Sequence, residues 1–69
     1  MTAEEWLEGF ARAIGVEPPD LAEIDAVLGL AAVAAHASER RAAPVACWLA
    51  ARAGRPLEEV RGLAEGVGG

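Results

Sequence analysis

Residues 20–37 read DLAEIDAVLGLAAVAAHA, and this stretch decides the fold. Asp20 is a capping residue with Glu23 three positions on, the pattern of a reciprocal capping box. Leu21, Ile24, Val27, Leu28, Leu30, Ala31, Val33, Ala34 and Ala35 then cover more than half of the helical circumference. A helix this apolar belongs at the centre of its bundle. One stripe differs. Asp25, Gly29, Ala32 and His36 lie nearly above one another and outline a shallow groove of small side chains.

The flanks read as shorter helices with clear punctuation. Thr2 to Glu5 matches a capping box. Trp6, Leu7, Phe10, Ala13 and Ile14 follow on one face, with Glu4, Glu8 and Arg12 opposite. Gly15 supplies a left-handed terminus, and Pro18-Pro19 stiffen the link to Asp20. Helix two should stop near Ala37 or Ser38, ahead of Pro44, which suits the first turn of a third helix. That helix carries Val45, Trp48 and Leu49 on its core face and ends at Gly54. Arg55-Pro56 turns the chain into a fourth helix with an apolar face of Leu57, Val60, Leu63, Ala64 and Val67. Glu58 and Glu59 suit its positive end, and glycines 62, 66, 68 and 69 should fray its other end. The expectation is an all-α, compact bundle of four short helices at about 3–14, 20–37, 43–53 and 57–66. Trp6, Phe10, Ile24, Leu28, Trp48 and Leu49 are expected to share one core.

The 69 residues make a single small domain with a marginal core. Asp25 and His36 interrupt the longest apolar stretch, so no membrane span is expected. Thr-Ala-Glu-Glu near the start is no secretory leader, and one Cys allows no internal disulfide; both fit the cytoplasm. The net charge of −5 argues against nonspecific nucleic-acid binding. Composition is 54% apolar, more than so short a chain can hide, so a homodimer is expected to cover the surplus.

Charge is unevenly placed. Residues 1–25 hold seven carboxylates and one Arg, whereas residues 36–55 hold Arg40, Arg41, Arg52, Arg55 and His36 against Glu39 alone. The candidate site is therefore the polar seam His36, Ser38, Glu39, Arg40 and Arg41. Its charge, and the free amides expected at the start of helix three, suit an anion on a ligand or on a partner's surface. The plainer explanations are a His at a helix end favoured by the dipole, and Arg side chains paired with nearby carboxylates. Cys47, in an Ala-rich helix, reads as an inert packing residue, and Trp48 and Arg52, four apart, should stack. His36 and Glu39 are too few for a metal site, and no catalytic constellation or cofactor motif is seen.

Glu5-Trp6-Leu7, Pro18 to Asp20, Ala35-His36-Ala37-Ser38-Glu39-Arg40 with Ala43-Pro44, and Leu57-Glu58-Glu59 form a pattern across nearly the whole chain. It resembles a small actinobacterial helical domain family of unknown function. Its members look like standalone chains of this length or like tails on molybdenum-cofactor guanylyltransferase-like domains. The resemblance implies a non-catalytic accessory role in molybdopterin guanine dinucleotide synthesis, with a nucleotidyltransferase as partner. It carries over no catalytic residues. Members often have Ser or Thr before Leu-Glu-Glu, where this chain has Pro56 and so lacks the side-chain cap.

Overall fold

Both expected capping boxes form. In the computed structural model, which describes residues 1–68, the Thr2 amide donates to Glu5 at 2.8 Å and the Thr2 hydroxyl accepts from the Glu5 amide at 3.1 Å. Asp20 and Glu23 repeat the arrangement at 2.9 and 2.8 Å. These boxes open α1 (Ala3–Ile14) and α2 (Leu21–Ala37). The Thr2 amide, and then its hydroxyl, hold the Glu5 carboxyl below the usual carboxylate range. At the end of α1, Gly15 adopts φ 81°, and the amides of Gly15 and Val16 return to Arg12 and Ala11 at 3.2 and 2.9 Å. This is the paired bonding of a Schellman turn, and only a residue at ease with positive φ forms it without strain.

The other two helices are α3 (Ala42–Ala53) and α4 (Leu57–Glu65). Neither has a side-chain cap at its N-terminus, where Arg41 and Pro56 stand. Pro44 is the third residue of α3, where its missing amide costs no internal bond. Beyond Glu65 the chain tightens into hydrogen-bonded turns, Gly66 to Leu63 and Val67 to Ala64, where the glycines were expected to fray the helix. Gly69 lies outside the described residues. The described residues are all-α, with four helices at the expected places and no strand.

The arrangement centres on α2. Both α3 and α4 pack along it, while α1 has no comparable helix partner and α3 and α4 do not pack comparably on each other. Leu7, Pro18, Leu21 and Ile24 line a shallow cavity between α1 and the start of α2. The molecule is elongated, 38 × 23 × 18 Å, with a radius of gyration of 12.7 Å. A close-packed domain of this length would have a radius of about 11 Å.

The expected core is corrected by this packing. Ala11, Leu30 and Ala50 are the fully buried apolar residues, and Leu30 is 1% exposed. Ile24 is half-buried. Trp6 (55% exposed), Phe10 (47%), Leu28 (60%), Trp48 (59%) and Leu49 are all largely open to solvent. Helical periodicity identifies an apolar face but not what covers it. Alanines let α3 approach α2 closely around Leu30, so the centre closes without the large rings. Trp6 stacks instead on Phe10, at 5.0 Å between ring centroids, on the outer face of α1.

Replacing Leu30 by Ala should therefore cost about 3–5 kcal/mol, enough to unfold a domain this small. Replacing Leu28 by Ala should change stability by less than about 0.5 kcal/mol, because little of that side chain is buried. Urea unfolding followed by circular dichroism separates the two; equal losses would contradict a core centred on Leu30.

Candidate functional site

The polar seam sits on the connector between α2 and α3. His36 lies in the last turn of α2, Ser38 caps its C-terminus, Glu39 and Arg40 form the turn, and Arg41 is the N-cap of α3. All five side chains are exposed. The Arg41 Nε donates to the Glu39 carboxylate, an exposed pair of the kind that contributes little to stability. Among the described residues, the His36, Ser38 and Arg40 side chains make no hydrogen bond within the chain. The seam thus brings Glu39 and Arg41 together and leaves Arg40 and His36 open.

One expectation about the seam is corrected. The first amides of α3 are not free. Ala42 donates to the Glu39 carbonyl at 2.9 Å and Ala43 to the Arg40 carbonyl at 3.1 Å. Pro44 has no amide to offer. The tight turn that reverses the chain engages the donors that an anion would otherwise meet. Charge, rather than oriented backbone donors, is what the seam presents.

The small-residue stripe of α2 is partly filled. Arg61 of α4 crosses Gly29, with a guanidinium nitrogen 3.0 Å from where a Cβ would sit. Asp25, Glu58 and Arg61 border a cavity of about 270 Å³ at the α2 N-terminal end. His36, at the far end of the stripe, is not among its lining residues.

A second feature escaped the sequence reading. Between α3 and α4 runs an open apolar groove, formed of two adjoining cavities of about 440 and 380 Å³ that share Ala46, Leu49 and Ala64. One end reaches Arg55 and the other reaches Ser38, so groove and seam are neighbours. The alanines at 42, 46, 50, 53 and 64 were the available signal. Small side chains on two helices that diverge from a shared support leave a trough between them. Arg52 lies over the Trp48 ring at 4.7 Å, as their spacing predicts, but on an exposed face.

Cys47 is half-buried on α3, its thiol 3.8 Å from the Val27 carbonyl, and burial pushes that thiol up. This is the setting of an unreactive cysteine. Among the described residues no group of three His, Cys, Asp or Glu side chains is placed to hold a metal ion. Among the described residues no helix is long and apolar enough to cross a membrane.

The family model described as Domain of unknown function (DUF6457) matches residues 1–67. The chain belongs to this family. The match takes in all four helices, the seam and both walls of the groove, so the DUF6457 unit is the fold itself rather than a part of it. No curated protein and no solved structure matches the chain.

Two outcomes follow for this DUF6457 domain. Gly29→Ala should stabilise it by about 0.5–1 kcal/mol, since Ala favours helix and the exposed end of Arg61 can shift aside. A loss of stability in thermal melts would mean that Arg61 is fixed in place. The raised Cys47 thiol pKa makes the unfolded chain lose its proton first as pH rises. Its contribution to stability is complete below the unfolded value, about 8.5, and falls away above it. Cys47→Ser should flatten that alkaline decline in urea midpoints measured from pH 7.5 to 10.

Proposed function

We propose that the domain is a non-catalytic protein-interaction module of the cytoplasm. It acts as an accessory in molybdopterin guanine dinucleotide synthesis beside a nucleotidyltransferase. The observation that carries the interaction reading is exposed apolar area. The chain presents 5410 Å² to solvent, whereas a folded monomer of its mass presents about 4,100 Å². Large apolar side chains stand open on that surface, among them Trp6, Phe10, Leu49 and Leu63. Exposure on that scale marks a surface that a partner covers. The cofactor pathway rests on the resemblance around His36 to Arg40 and on the open positive charge of Arg40.

A second reading, an anion-binding module at His36, Ser38, Glu39, Arg40 and Arg41, is favoured by the same unpaired Arg40, which stands exposed on the connector that follows His36. It is weakened by the engaged amides of Ala42 and Ala43.

Calorimetric titration of the chain with the molybdenum-cofactor guanylyltransferase of its own host tests the first reading. Saturable binding is expected, weakened about tenfold or more by Arg40→Ala. The variant should melt within about 0.5 kcal/mol of the parent, since an exposed Arg adds little stability. No heat with the enzyme overturns the cofactor association. Binding of inorganic phosphate or guanine nucleotides, weakened by salt, would establish the second reading instead.

A further inference from the structure

Two surfaces of this domain lack partners, and they match each other. One is the outer face of α1, where Trp6, Phe10 and Ile14 are exposed. The other is the α3–α4 groove, whose walls include Val45, Leu49, Leu63 and Val67, each more than half exposed. From these we infer that the domain forms a two-fold dimer in which α1 of each copy lies in the α3–α4 groove of the other. This rests on the interaction-module reading and names a second copy of this chain as the partner.

Length agrees. Both α1 and α3 have 12 residues, so the inserted helix and the groove wall are each about 18 Å long. Side-chain spacing agrees as well. Trp6, Phe10 and Ile14 recur every four residues, the anchor pattern of a helix laid in an apolar groove. Charge agrees along the α3 wall: α1 carries Glu4, Glu5 and Glu8 against Arg12, while residues 40–55, which include α3, carry four Arg and no carboxylate; the α4 wall, with Glu58, Glu59 and Glu65 against Arg61, is acidic and sets α1 toward α3. Area agrees too. The excess over a packed monomer is about 1,300 Å² per chain, and a stable interface needs about 800 Å² from each partner. Two reciprocal helix-in-groove contacts can bury an area of that order. Such an interface closes on itself, because each copy gives one helix and receives one.

The test is sedimentation equilibrium of the full chain at micromolar concentration, with paired variants. The parent should have twice the 7.1 kDa chain mass. Phe10→Asp, which charges the inserted helix, and Leu63→Asp, which charges the groove, should each be monomeric with helical content unchanged. Mixed together they should form a heterodimer, since the intact α1 of one meets the intact groove of the other. Its dissociation constant should be at least tenfold weaker than the parent's, because one of two contacts is restored. Should an aspartate variant lose helicity, Phe10→Ala and Leu63→Ala carry the same comparison through their dissociation constants.

A parent dimer untouched by Leu63→Asp overturns the groove as the seat. A parent that is monomeric overturns the exchange. If that monomer still binds the guanylyltransferase in an Arg40-dependent way, the interaction-module reading survives alone. If it binds nothing, both fall.

Discussion

Everything in this fold hangs on the burial of one leucine carried by a helix that is apolar around most of its girth. Among the described residues Leu30 is the single large side chain fully withdrawn from water, and it lies on α2, the element on which α3 and α4 both pack. Alanines on α3 and α4 allow the approach that closes water out. The same small residues limit how much apolar area each contact removes, so the domain has an axis with two attached helices rather than a filled interior. The elongation of the molecule and the openness of its rings both follow.

The placement of elements was legible because it is written locally. Thr2 with Glu5, Asp20 with Glu23, Gly15 and Gly54 each act within a few residues, and all of them take the positions that their chemistry predicts. What covers each face was not legible. Trp6 and Phe10 form an apolar stripe, but whether another helix sits on it depends on the angle at which α1 leaves the Gly15 to Asp20 link. Nothing in the periodicity of α1 encodes that angle. The candidate site divides in the same way. Its residues are adjacent in sequence, so their clustering at the α2–α3 connector was readable. The engagement of the Ala42 and Ala43 amides was not, because it arises from the tight turn at Glu39 and Arg40. The groove between α3 and α4 lay furthest out of reach, since it is made by two helices failing to meet.

The surface of this domain presents apolar rings and charged groups side by side with an inert thiol. The Cys47 thiol is turned toward a carbonyl in a packed setting, and the seam's charged groups stand open to water where their pairing is weak. Apolar rings and unpaired guanidinium groups on neighbouring surfaces are the usual ingredients of recognition, with the rings supplying affinity and the charges orientation.

The way α1 is held has a consequence for the cost of association. Its first turn is closed by Thr2 and Glu5, and its last by the Gly15 turn; Pro18 and Pro19 then restrict the only link to the rest of the chain. The helix is closed at both of its ends, and no other helix packs along it as α3 and α4 pack along α2. A segment that had to fold upon docking would surrender the freedom of a dozen backbone units at the moment of contact. Here α1 is already helical, and its Trp6 and Phe10 rings are already stacked. A helix formed before docking leaves more of the contact energy available as affinity.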